Sequence, residues 1–344
     1  MIRALAVALA GLLMTGSANS AEPTYQIFDF KDLIGWEADD HDAALRVFLN
    51  TCPDLEDPDW ASLCAVAQNI SSAKAFFELF FRPVLIQDGT KPLFTGYFEP
   101  ELDGDTAPSD RFRFPVYRIP SEARENSVWL SRREIETSDT LRGRGLEIAW
   151  VDDPVELFFL QIQGSGRIKL PSGRHIRVGY AGANGHPYRS IGVELIRRGI
   201  YKPHQVSAQV IKSWVRRNPV DGAELLRHNP SYVFFRTVNQ VPADEGPLGA
   251  MNRSVTEGRS IAVDPAFTPL GAPVWVEKAG KLPMNRLMIA QDTGSAIKGA
   301  QRADIFLGTG DTAGRVAGKL RDSGKMLVLL PIQRAFALLP EGGE

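Results

Sequence analysis

The sequence of 344 residues is short of the residue types that make the most readily recognised sites. It has only two cysteines and five histidines. His41, His175, His186, His204 and His228 are scattered, with no H-E-x-x-H pair and no clustered ligand spacing, so neither a metal nor another cofactor is expected. A formal net charge of −2 removes the electrostatic reason to expect a nucleic-acid partner. Long hydrophobic runs are missing as well: the apolar stretch from Ala4 to Met14 falls short of the roughly 20 residues that a bilayer-crossing helix needs. Gly164-Ser165-Gly166 lacks the G-x-S-x-G elbow of a serine hydrolase. There is no internal repeat and no low-complexity tract.

What is present begins with a leader. Arg3, the apolar run and the small residues Ala18, Ser20 and Ala21 form the pattern of a signal peptide over residues 1–20. No cysteine lies near the expected cut, so no lipid anchor is expected and the protein reads as soluble and exported. In that compartment Cys52 and Cys64, twelve positions apart, read as one local disulfide contributing roughly 2–3 kcal/mol. With 44% hydrophobic residues the chain can build substantial cores.

Residues from about 39 to 82 carry apolar side chains at helical spacing, among them Leu45, Phe48, Leu63, Phe76 and Phe80. From Pro92 onward PLFTGYFEPEL, RFRFPVYRIP, SVWLS and LEIAWV read as strands, and QIQGSGRIKLPSGRHIRVGYAG as a hairpin turning at Pro171-Ser172-Gly173. YRSIGVELIRRGIY and SAQVIKSWVRR predict helices. The last hundred residues hold six short apolar strands with Gly and Pro turns and one helical stretch, TAGRVAGKLRDSG, a pattern that favours a small closed barrel. The expected fold is mainly β with some helices.

The stretch QDTGSAIKG contains D-T-G-S, the opening of an aspartic protease site, but the chain has no second D-T-G to share the proton. GTGDTAG imitates a dinucleotide loop, yet no βαβ run follows it. Carboxylates embedded in apolar strands remain: Asp304 in RADIFLG and Asp292 after Leu287, Met288, Ile289 and Ala290. Partial desolvation there raises a carboxyl's pKa and equips it to act as an acid. Asp264 before Pro265 reads as a turn former. Around these acids, FTGYFEP, QIQGSG and YAGANGHPYRSIG are dense in glycine, amides and aromatics. Tyr97, Tyr180 and Tyr188 offer flat faces, and Gln161, Gln163 and Asn184 offer paired donors and acceptors, the combination that a neutral sugar requires. Thr95, Gly164 and Ser190 lie in the same segments and complete the candidate substrate contacts.

FTGYFEPEL, FFLQIQGSGRI, VGYAGANGHPYRSIG, NPSYVFF, and GRSIAVDPAFTPLGAPVWVE followed by QDTGSAIKGAQRADIFLGTG resemble, in this order, the membrane-bound lytic murein transglycosylase A family. The resemblance is dense from about Pro92 to Pro331. It implies a double-psi β-barrel, of the kind called a 3D domain, from residues 21–105 and 239–344, a β-rich domain inserted over 106–238, and a substrate groove between them. It also implies peptidoglycan glycan strands as partners, other cell-wall enzymes as further partners, and a periplasmic location in contact with murein or the outer membrane. The reaction implied is cleavage of the β-1,4 bond between N-acetylmuramic acid and N-acetylglucosamine without water, leaving a 1,6-anhydro end. Asp304 maps onto the catalytic acid and Asp292 onto a supporting position. A hydrolase using both aspartates and a non-catalytic murein-binding protein stay open as alternatives.

Overall fold

The computed structural model describes residues 22–55, 57–125, 127–280 and 283–339. The leader expected over residues 1–20 lies outside them. Fifteen strands among the described residues form two sheets. The larger draws its strands from both ends of the chain, in the order Thr24–Ile27, Phe81–Gln87, Gly324–Pro331, Pro273–Lys278, Met284–Thr293, Ser260–Val263, Arg302–Thr309, Leu93–Glu99 and Arg321–Asp322. The first-mentioned strands and the last meet again in the chain, because Ser323 alone separates Arg321–Asp322 from Gly324–Pro331. The sheet is therefore curled into a barrel, with the edge strand Arg321–Asp322 brought round beside Gly324–Pro331. Two parallel pairings, Ser260–Val263 with Met284–Thr293 and Arg302–Thr309 with Leu93–Glu99, interrupt an otherwise antiparallel ladder.

Burial explains the barrel's composition. Trp275, Leu287, Met288, Ile289, Leu327 and Leu329 are closed off from solvent inside one contiguous core. Helices His41–Thr51, Pro58–Ala67 and Ala73–Phe80 seat Phe48, Phe76 and Phe77 on that core, against Phe81 at the start of the next strand. The expected disulfide is formed, Cys52 to Cys64, and ties the end of the first helix to the second. Gln301 staples the closure: its Nε2 donates to the carbonyls of Ile86 (2.8 Å) and Met326 (2.9 Å), and its Oε1 accepts from the Met326 N–H.

The second sheet runs Phe114–Tyr117, Glu147–Val151, Glu101–Asp105, Ser165–Lys169, His175–Ala183 and Val233–Thr237. Glu101–Asp105, which the sequence reading kept with the barrel, pairs here with Ser165–Lys169 and Glu147–Val151. Pro100 supplies the reason, since it has no N–H to continue the ladder from Glu99. The region between residues 106 and 238 is more helical than the sequence suggested. SVWLS forms no strand, because Ser131 and Glu134 make a capping box that starts the helix Arg132–Thr137. QIQ belongs to the helix Pro154–Gln163 and not to a hairpin arm. Asp153 caps that helix by accepting from the Val155 N–H at 2.8 Å, Pro154 occupies its first turn, and Gly164 ends it in the left-handed conformation at φ 79°.

Replacing Gln301 with Leu leaves the Ile86 and Met326 backbone groups buried without partners. The expected loss is about 2–3 kcal/mol of unfolding free energy, read by denaturant unfolding, and a variant as stable as the parent would show that the closure does not rest on this amide.

Candidate active site

Strand register brings the two aspartates together. Ala262 lies opposite Asp292 on one side and Asp304 on the other, and Asp304 lies opposite Thr95. Residues paired in register present their side chains to the same face, so Asp292, Ala262, Asp304 and Thr95 form one rung across four strands. The Cα atoms of the two aspartates are separated by two strand spacings, roughly 9–10 Å. Only the Ala262 methyl stands between them, which leaves the middle of the rung open.

This rung is the floor of a cleft of about 320 Å³. Its barrel wall carries Tyr97, Arg302 and the Thr293–Ile297 segment, and the opposite wall carries Arg132, Gln161, Gln163, Tyr188 and Asn229 from the second sheet's helices and loops. On the same face as the acids, Tyr97 packs on Phe306 with ring centroids 5.2 Å apart, beside Val255, Ala262 and Ile297.

Asp304 is half-buried. Burial pushes its carboxyl above the ordinary aspartate value, opposed by the Thr95 hydroxyl and by Arg302. Thr95 Oγ1 donates to Asp304 Oδ1 at 2.6 Å and accepts from Arg302 Nη2 at 2.9 Å. A guanidinium can only donate. Thr95 must therefore send its proton to Oδ1, and the carboxyl's own proton is left to Oδ2.

Asp292 is also raised, first by burial and last by the charge of Asp304, against the donors around it. Its Oδ1 accepts from the N–H groups of Ala250 (2.9 Å) and Thr293 (2.8 Å), so the D-T-G-S stretch is a strand end whose aspartate ties the following turn to a neighbouring loop. The Tyr97 hydroxyl faces both acids, and burial together with Asp292 drives it well above the ordinary tyrosine value. It lies against Asp292 without reaching standard hydrogen-bond geometry.

The opposite wall is stiffened by Arg132, a buried guanidinium between the Phe158 and Tyr232 rings. It donates to Gln161 Oε1, to the carbonyls of Asn229 and Ser231, and to Glu136. Gln163 Oε1 accepts from the Phe98 N–H at 3.2 Å. Both amide carbonyls are thus engaged by protein, and what Gln163 has left for a ligand is its NH₂ group.

Of the residues singled out from sequence, Asp292, Asp304, Tyr97, Gln161, Gln163 and Tyr188 line the cleft. Thr95 touches Asp304, and Gly164 is the cap that ends the helix beside the cleft. Three depart from expectation. Asn184 is fully buried, its amide bound to Leu130, Pro230 and Tyr232 backbone groups, so it orders a loop. Ser190 caps the helix Ile191–Arg197. Tyr180 is 56% exposed and lies outside the cleft lining. Arg132, Asn229 and Arg302 were missed as cleft residues, although NPSYVFF and RADIFLG contained two of them.

The chain is similar in sequence and fold to known proteins. Residues 93–236 match the family model described as the MltA specific insert domain, and residues 259–330 match the 3D domain. The membrane-bound lytic murein transglycosylase A of Vibrio cholerae is 33% identical over 265 residues, 72% of this chain and 69% of that one. That of Escherichia coli K12 is 36% identical over 244 residues, 69% of this chain and 65% of that one. Among solved structures, the membrane-bound lytic murein transglycosylase from Agrobacterium tumefaciens superposes with a TM-score of 0.83 at 32% identity, covering 92% of this chain and all of the other. MltA of E. coli with bound chitohexaose gives 0.74 at 27% identity, covering 89% and 94%. A double-psi barrel with an insert closing a cleft over its acids defines the class, a two-domain murein transglycosylase fold. The chain belongs to the membrane-bound lytic murein transglycosylase A family.

Both carboxyls bind protons more tightly in the folded state than in the unfolded chain. Their ionisation therefore subtracts stability as pH rises from the ordinary carboxylate range through the raised values. Asp304→Asn and Asp292→Asn are each expected to melt higher than the parent at neutral pH, with the gap shrinking toward about pH 3.5, where the unfolded chain's carboxyls also protonate. Calorimetry at the two pH values checks this, and equal melting at neutral pH would contradict it.

Proposed function

We propose that this protein is a peptidoglycan lytic transglycosylase in which Asp304 acts as acid and then as base. The observation that carries this reading is the Arg302–Thr95–Asp304 chain on the floor of a cleft built like those of the family. The protonated Asp304 gives its proton to the glycosidic oxygen between N-acetylmuramic acid and N-acetylglucosamine, and the C1–O bond breaks. Positive charge then builds at C1, within the field of two acids in a partly desolvated cleft. The C6 hydroxyl of the same sugar closes on C1, and its proton passes to the Asp304 carboxylate, restoring the acid. No water enters the balance, because the nucleophile is already tethered to the ring and its effective concentration is high.

Asp292 favours this reading over hydrolysis. Two backbone N–H groups hold one of its oxygens, which ties the carboxyl to the turn after the strand and leaves only its other oxygen free to approach a water. Its part is to steady the floor and the charge at C1, beside Tyr97. Gln163, Gln161 and Tyr188 supply donors and a flat face to the sugars. The two sheets serve as the two domains, joined near Pro100 and after Thr237, with the glycan strand between them.

The leader pattern over residues 1–20 and a murein substrate support a periplasmic location. Its relatives carry the name membrane-bound, while among the described residues no helix is long and apolar enough to cross a membrane.

The test is mass spectrometry of muropeptides released from purified sacculi. The expected product lacks a reducing end and is one water lighter than the hydrolytic one, whereas reducing muropeptides would mean hydrolysis. Asp304→Asn is expected to lower turnover by roughly 10³-fold or more with the fold intact, and Asp292→Asn by less. A folded, fully active Asp304→Asn protein would overturn the assignment.

A further inference from the structure

The two cleft walls belong to different sheets, so something must hold their spacing. The chain passes between the sheets twice, at Pro100 and in the segment after Thr237, and both passages converge on one fully buried carboxylate, Glu99. Arg167 and Arg177 are direct partners on the antiparallel strands Ser165–Lys169 and His175–Ala183. Like charges placed opposite one another repel. Here Glu99 lies between them: Arg167 Nε donates to Oε2 at 2.8 Å, and Arg177 Nε stands 2.9 Å from Oε1. Thr309, at the end of the strand that carries Asp304, donates to the same Oε2 at 2.9 Å. The guanidiniums also gather the returning chain. Arg167 and Arg177 both donate to the Glu245 carbonyl, and Arg177 to that of Pro242.

The backbone is tight at this seam. The Arg167 N–H donates to the Pro100 carbonyl at 2.8 Å, and a Cβ on Gly166 would sit 2.9 Å from that oxygen and 2.4 Å from Leu160. Phe98, one residue before Glu99, is held by Gln163 on the opposite wall. The floor strand, the insert and the return segment thus share one ionic knot at the edge of the cleft.

We propose that Glu99 is a positioning residue: through Arg167, Arg177 and Thr309 it sets the angle between the two sheets and so the width of the glycan cleft. It touches neither the acid nor the sugar. The bland alternative is a buried ion cluster needed only for folding, in which case charge balance matters and the connection does not.

Three variants separate the two. Glu99→Gln leaves two guanidiniums uncompensated, and E99Q/R167Q/R177Q removes all three charges together with the knot. Glu99→Asp keeps the charge on a shorter arm. Chitohexaose binding by calorimetry is one readout. The other is the distance between nitroxide labels on cysteines introduced at Val193 and Lys298, one on each side of the cleft, with the native cysteines already paired.

The triple variant is expected to melt close to the parent yet bind chitohexaose about tenfold more weakly or worse, with a broadened label distance. Glu99→Gln is expected to show the same weakening, while the acidic limb of its pH–rate profile stays where the parent's is. Parental affinity and an unbroadened distance in the triple variant would overturn the proposal. If the triple variant does not fold, Glu99→Asp decides: normal melting with affinity weakened about threefold or more upholds the knot, and parental affinity sinks it. A parent chain that fails to bind chitohexaose would count against the proposed function instead, and the label distance would still report on Glu99.

Discussion

The chemistry of this molecule depends on strand register. Asp292, Ala262, Asp304 and Thr95 share a rung because a central strand of four residues, Ser260–Val263, pairs parallel on one side and antiparallel on the other. A slip of one residue would turn an aspartate into the barrel core and a hydrophobe into the cleft. The apolar residues that alternate with the acids, Ala303 and Ile305 on one strand, prevent that slip by being fully buried. Packing of the core and placement of the acid are thus one constraint seen from two faces of a sheet.

The same rung balances opposing demands on a carboxyl. Burial raises both aspartates, and hydrogen-bond donors limit the rise. For Asp304 the donor is a side-chain hydroxyl oriented by Arg302; for Asp292 the donors are backbone amides. The difference divides their roles. A hydroxyl held by an arginine fixes which oxygen keeps the proton, whereas two amides hold their carboxylate in place as a charge.

Much of this was legible in the sequence, and the reasons for success and failure are physical. The barrel strands announced themselves as short apolar runs between Gly and Pro, and Asp304 and Asp292 stood out as acids inside such runs. The resemblance of several ordered motifs carried the family. The Asp-Pro start and glycine stop around Pro154–Gln163 were present but unread, because the glycine-rich continuation looked like a turn. Asn184 and Ser190 have the chemistry of ligand contacts, yet their bonding capacity goes to backbone groups remote in sequence or one turn away. Arg132 reaches the cleft by threading between two aromatic rings, and no local pattern encodes such a path.

The barrel also has an assembly order written into its connections. Thr95 and Asp304, bonded in the finished site, are 209 residues apart, with the whole second sheet between them. Contacts of such sequence separation form late, since a long intervening chain must be ordered before they close. As the chain emerges from its N-terminus, the insert can fold while the catalytic floor still lacks its central strands. The acid acquires its partner only once Arg302–Thr309 has arrived and docked on Leu93–Glu99. A protein able to cut the polymer that encloses the cell therefore lacks its catalytic rung until most of the chain has been made, by topology alone.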